Sequence, residues 1–220
     1  MGVEKLLSGI KFILSLVWIT WQFYLVSHPY PPMIQQPMHV LFAVSLVLLS
    51  VPVKLPFKKE FFGKLVDITL LLLVFASAWY ITSQEARLTS RWETIDPVLE
   101  VDILFFFIIC GILLECVRRV VGWSLLVVIA VFALYAFAGP FCPGWLKFSG
   151  FSIEELAEFC TMTPNGIFGT TTITSVLYVF YFILFGAVYA AIGGSKLFID
   201  IGLSFVGKAT GGAAKASIIS

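Results

Sequence analysis

Three acidic residues, Asp67, Glu115 and Asp200, stand in or beside long apolar runs, and they are the first candidates for chemistry. A charge at the centre of a bilayer costs roughly 2.5–3.5 kcal/mol or more, so such a group either serves an ion or proton path or is paired. Helical spacing offers each a local partner. Arg118 and Arg119 follow Glu115 by three and four residues, Lys64 precedes Asp67 by three, and Lys196 precedes Asp200 by four. Residues so spaced meet on one helix face. The expected arrangement at all three is an interfacial ion pair near a helix end.

Two further groups have reactive side chains. His28 and His39 flank a proline-rich turn; histidine titrates near neutral pH, but loop residues in water are the expected reading. Thr170, Thr171, Thr172 and Thr174 lead, with Ser175, into an apolar run. They form a candidate polar path, with bonding to the backbone or to a neighbouring helix as the preferred alternative. No Ser-His-Asp set has a motif around it. Gly193-Gly194-Ser195-Lys196 lacks the spaced glycines of a phosphate loop, so the chain is not read as an enzyme. Cys110, Cys116, Cys142 and Cys160 form no C-x-x-C pair, so neither a metal nor a cofactor is expected. Cys142 and Cys160 share one loop, which leaves open whether they pair.

The elements that must carry these residues follow from composition. Hydrophobic residues are 60% of the 220 and charged residues 12%, against roughly 45–50% and about 25% in soluble domains. That excess calls for an apolar solvent. A net charge of +1 without a basic stripe excludes nucleic acid as a partner. Six stretches approach the roughly 17–25 residues that a membrane helix needs: Ile10–Val26, Met38–Val53, Leu65–Thr82, Val101–Val117, Val120–Ala138 and Ile167–Ile192. The fold class is therefore all-α: a polytopic membrane protein of about six transmembrane helices. The first stretch reads as a retained anchor rather than a cleaved leader.

Lysine and arginine set the orientation. With a cytoplasmic N-terminus, eleven fall inside: Lys5, Lys11, Lys54, Lys58, Lys59, Lys64, Arg118, Arg119, Lys196, Lys208 and Lys215. Only Arg87, Arg91 and Lys147 fall outside, a strong positive-inside bias. Glu85, Glu93, Asp96, Glu100, Asp102, Glu154, Glu155 and Glu158 also fall outside. Within that acidic set, Ser152–Met162 is expected to form a short interfacial helix lying on the membrane. Ser152 and Glu155 have capping-box spacing. Ile153, Leu156, Ala157 and Cys160 share its apolar face, with Glu154, Glu155 and Glu158 off it.

From Arg118 onward the residues take a familiar order. Arg119-Val-Val-Gly-Trp123 is followed by Gly139-Pro-Phe-Cys-Pro-Gly144, Asn165-Gly-Ile-Phe-Gly169 and Phe182-Ile-Leu-Phe-Gly186. Phe198-Ile-Asp-Ile-Gly-Leu-Ser-Phe-Val-Gly207 then leads to Gly211-Gly-Ala-Ala-Lys-Ala-Ser217. This order and spacing resembles the fused membrane subunit of tripartite ATP-independent periplasmic (TRAP) transporters. The resemblance implies residues 1–117 as the small four-helix scaffold part, matched by helix count. It implies 118–220 as the front of the large transport part, ending at the start of a re-entrant hairpin. Gly211, Gly212, Lys215, Ser217 and Ser220 would lie in the lead-in near the ion site, with Ala213 where the family usually has Pro.

The implied function is sodium-coupled import of small organic anions across a bacterial or archaeal cytoplasmic membrane. A periplasmic solute-binding protein would be one partner. The remainder of the transport domain and the lipid bilayer would be the others. Sodium as coupling ion is expected only in a full-length transporter, so these 220 residues alone are expected not to transport. The alternative is a stand-alone, non-transporting membrane scaffold or assembly protein.

Overall fold

Apolar side chains on every face leave a backbone in lipid no choice but to close its hydrogen bonds internally, and helices do so within one segment. The computed structural model describes residues 2–53 and 60–206, and among them every regular element is helical. The helices are α1 (Gly2–Ser27), α2 (Pro32–Ser50), α3 (Glu60–Ser83), α4 (Glu85–Ser90), α5 (Glu100–Val120) and α6 (Trp123–Ala138), followed by α7 (Ile153–Ala157), α8 (Thr170–Thr174), α9 (Phe180–Ala191) and α10 (Gly194–Val206). A π-turn, Glu158–Met162, extends α7. Another, Ser175–Val179, joins α8 to α9.

Among the described residues, five helices are long and apolar enough to cross a membrane: Lys5–Ser27, Pro32–Ser50, Phe62–Ser83, Trp123–Phe141 and Thr170–Ala191. They match five of the six expected spans. The sixth is α5, which has the length at 21 residues but carries charge at both ends. Glu100 and Asp102 lie in its first turn, and Glu115, Arg118 and Arg119 lie toward its last. Its uncharged middle, 103–114, is hydrophobic but for Cys110 and Gly111.

The residues up to Ile173 form one compact unit and those from Thr174 a second. In the first, α2 is the central helix. Met33, Leu41, Phe42, Val44 and Leu48 are buried along it. One core gathers Leu41, Phe42, Val44 and Leu48 of α2 with Val74 and Ala78 of α3 and Ile112 and Cys116 of α5. A second joins Met33, Ile81, Leu88 and Ile109 to Met162 and Phe168. By contrast, α6 has no buried residue, and large side chains along it stand exposed, including Phe132 and Leu134. An exposed apolar surface of that extent belongs against lipid or protein.

Two loops have steric reasons for their sequence. After α6 the chain folds back: Phe151 N donates to Ala136 O (3.0 Å), and Tyr135 Oη donates to Leu146 O (2.7 Å). Before α8, Ile167 N donates to Cys160 O (2.9 Å), which draws the chain tightly against the π-turn. A Cβ on Gly166 would overlap the Phe159 carbonyl oxygen and sit 2.5 Å from Cys160 Cα, so the approach requires glycine. In the second unit, α9 and α10 form a helical pair. Tyr189 Oη donates to Gly194 O (2.9 Å), and its ring meets Phe198 edge-on.

Candidate functional site

Most of the polar side chains buried in the first unit, among the described residues, lie at its two ends or on one helix pair. At the end carrying α4, Asp102 stands in the first turn of α5. There its carboxylate also accepts from Leu99 N (3.0 Å) and caps the helix. Arg87 of α4 reaches it in a fork: Nη2 to Oδ1 at 2.6 Å and Nη1 to Oδ2 at 3.1 Å. Tyr80 Oη of α3 donates to Oδ1 as well (2.6 Å), and its ring stacks on Phe105. Bidentate, charge-assisted bonds of this kind are the strong class. The Asp102 side chain is 1% exposed. The bond to Asp102 raises the pKa of Arg87 above its ordinary value. Three elements are thereby tied at one carboxylate.

A second knot lies at the same end. Arg91 Nη1 pairs with Glu158 at 2.9 Å, with side chains 6% and 7% exposed. The Glu158 carboxylate also accepts from Thr94 N through both oxygens (3.1 and 3.2 Å). Arg91 Nη2 donates to Asp96 O at 2.5 Å, and Arg91 Nη1 lies 3.7 Å from Met162 Sδ. The amphipathic pattern had put Glu158 off the apolar face, in water. Instead the short helix packs against α5, Ala157 is fully buried, and Glu158 turns inward to a buried cation while Ile153 is exposed. Asp102, at the start of the expected span Val101–Val117, is likewise buried. The Ser152–Glu155 box does form: Glu155 N donates to Ser152 Oγ (3.1 Å) and Ser152 N to Glu155 Oε2 (2.7 Å). Those bonds lower the Glu155 pKa.

At the opposite end, Glu115 pairs with Arg118 (2.7 Å) and Arg119 (2.8 Å), as the spacing predicts. Asp67 does not take Lys64. It pairs with Arg119 across α3 and α5 at 2.7 Å and accepts from Val53 N (3.3 Å). The Arg119 side chain is 2% exposed. Its Nη1 donates to Val51 O (3.0 Å) while standing in close charge contact with Asp67. Lys196 and Asp200 form no ion pair among the described residues.

On the α1–α2 pair, Gln22 and His39 meet in the interior. Gln22 Nε2 lies 2.7 Å from His39 Nδ1, a bond in which the amide donates to a neutral ring protonated at Nε2. Trp18 meets the His39 ring edge-on at 5.1 Å. His39 is thus a buried helix residue, not a solvated loop one; the Pro-rich turn is shorter than expected, and α2 begins at Pro32. His28 is exposed and stacks on Tyr24.

Of the expected site residues, Thr170, Thr171 and Thr174 are exposed, and half-buried Thr172 donates to Ile167 O at 2.5 Å. Gly211, Gly212, Lys215, Ser217 and Ser220 lie outside the described residues. All four cysteines are free thiols. Burial pushes the Cys160 thiol up from its ordinary pKa. No cluster that could hold a metal ion occurs among the described residues. A cavity of about 30 Å³ lies between α2, α3 and α5, bounded by Val44, Val74, Ile112 and Phe168. It has room for about one water, and its walls are almost wholly apolar, so it is no solute site.

This arrangement is one of fastenings, and comparison with known proteins says what is fastened. The profile of the family described as tripartite ATP-independent periplasmic transporter, DctM component, matches residues 108–220, just over half of the chain. The chain belongs to the TRAP transporter family. Neither a curated protein nor a solved structure matches it. The family is one of transporters rather than enzymes. The match divides the knots. Glu158, Met162 and Phe168 lie within the DctM-matched region, whereas Arg91, Thr94, Met33, Ile81 and Leu88 precede it. Likewise Asp67 precedes the match and Arg119 falls within it. Sequence reasoning missed both cross-links because the partners are 67 and 52 residues apart.

Proposed function

We propose that the chain is a membrane subunit of a sodium-coupled, binding-protein-dependent importer of small organic anions. Residues 1–117 act as a static four-helix scaffold, and 118–220 are the front of the transport part. The N-terminus is cytoplasmic, so the end carrying α4 and α7 faces the periplasm, in keeping with the positive-inside asymmetry. The observation that carries the scaffold reading is the Arg91–Glu158 pair, buried on both sides, beside a core in which Met162 and Phe168 pack on the front helices. A buried pair broken on one side costs about 3–5 kcal/mol, so this junction resists sliding. The segments Ser83–Glu100 and Phe151–Asn165, which expose Glu93, Glu154 and Glu155, face the solute-binding protein.

Uptake in the native host tests this. Deleting the gene should abolish sodium-dependent accumulation of a radiolabelled dicarboxylate or related carboxylate, and the gene supplied in trans should restore it. Neutralising Glu85, Glu93, Glu154 and Glu155 together should lower uptake driven by the solute-binding protein; unchanged uptake would remove these segments as its docking face. Unchanged uptake of every small carboxylate after deletion would sink the proposal and favour the non-transporting scaffold.

A further inference from the structure

The turn from Arg91 to Asp96 has an unusual backbone. Thr94 has φ 62°, the only left-handed non-glycine among the described residues. For a β-branched residue that is a genuine outlier, and such strain persists only where surroundings over-determine it. Here they do. Thr94 N is held by both oxygens of Glu158, and Arg91 binds the same carboxylate and the Asp96 carbonyl. Asp96 closes the turn, its Oδ2 accepting from Trp92 N (2.8 Å) and its own N–H donating to Trp92 O (3.1 Å). The clamp comes from the DctM-matched region; the turn that it bends does not.

The clamped turn presents Trp92 (73% exposed) and Ile95 (76% exposed), with Glu93 exposed between them. A tryptophan and an isoleucine on a rigid turn are the kind of anchor that dominates protein interfaces. Pre-organising such anchors lowers the cost of association. Glu93 and Glu100 beside them repel an anionic lipid surface and favour a protein face on which basic residues surround an apolar patch.

We propose that Glu158 is a positioning residue: by clamping the Arg91–Asp96 turn it sets Trp92 and Ile95 as anchors for the solute-delivering protein. This rests on the proposed function, and the experiment separates the two. Uptake is measured in membrane vesicles of the native host against rising concentrations of the solute-binding protein. The variants are Glu158→Gln, Trp92→Ala/Ile95→Ala, and all three changes together. Trp92→Ala/Ile95→Ala should raise the half-saturating concentration about tenfold, the effect of losing one interface anchor, with maximal rate unchanged. Glu158→Gln should raise half-saturation as well, and the combination should add little to that shift, because both act through one turn. The surface pair cannot be excused by misfolding. If it leaves half-saturation unchanged, the proposal is overturned, and stronger quenching of tryptophan fluorescence by brominated lipid in the wild type than in this variant would identify the turn as a lipid anchor. A fall in maximal rate alone with Glu158→Gln would also overturn it. Wild-type vesicles with no response to the binding protein would sink the proposed function itself.

Discussion

Arg119→Ala should be among the most destabilising single changes at the basic end of the first unit. The guanidinium is 2% exposed and touches three groups: Asp67 at 2.7 Å, Glu115 at 2.8 Å and Val51 O at 3.0 Å. Breaking a buried pair by removing one partner costs about 3–5 kcal/mol, chiefly from the charge left behind. Glu115 keeps two bonds from Arg118. The stranded group is therefore Asp67, whose side chain is 15% exposed and whose one remaining bond is the long one from Val53 N. The estimate belongs at the low end, about 3 kcal/mol. Asp67→Ala should cost less, about 1–2 kcal/mol, because Arg119 retains Glu115 and the Val51 carbonyl. Asp67→Ala/Arg119→Met removes both charges and keeps most of the arginine's volume, so it should lie within about 1 kcal/mol of Asp67→Ala alone. Reversible unfolding in mixed micelles, followed by circular dichroism, ranks the three variants against the wild type. Exposed surface changes stay within about 0.5 kcal/mol. If Arg119→Ala falls in that range, or the double variant is as unstable as Arg119→Ala, the pair is not the tie between α3 and α5.

Three further outcomes follow from the same geometry. Gly166→Ala, whose Cβ would meet backbone atoms of Phe159 and Cys160 that cannot yield, should unseat the 153–169 segment and expose it to protease; Gly186→Ala, with open space around it, should not. His39→Phe should cost about 1–3 kcal/mol in the same unfolding assay by stripping buried Gln22 of its ring partner. Glu155 has a lowered pKa, so its contribution to the α7 cap is complete above the unfolded carboxylate value and is lost as pH falls through the folded one. Amide exchange over Ile153–Ala157 should accelerate across that window in the wild type, and Glu155→Gln should flatten the dependence.

Interactions within a turn or two of helix were legible in the residues alone. The Glu115–Arg118–Arg119 cluster and the Ser152–Glu155 box formed as spaced, because 3.6 residues per turn brings positions three and four apart together whatever surrounds them. The spans were equally legible, since the length of an apolar run is a local property. The same spacing rule failed for Asp67, which had Lys64 within reach but took Arg119. Lys64 is exposed and keeps its ammonium in water, whereas Arg119 is enclosed and needs a counter-charge. Glu158 was misplaced for a related reason. A five-residue helix extended by a π-turn does not hold the 100° step from which its faces were read.

What the sequence by itself determined, then, is a solvent and a scale: an all-helical chain with spans long enough for a bilayer. Tertiary structure decided which helix is central and which lies at the surface. Gln35, Gln36 and His39 set α2 apart from α6, which has no such residue, but lipid and protein neighbours are alike apolar, so only the packing shows which faces meet. It also decided which charges are consumed. Arg91 with Glu158 and Asp67 with Arg119 each join a residue before the DctM-matched region to one within it. Burial demands a counter-charge for every ion. Only the packing of α3, α5 and α7 determines which one lies within reach.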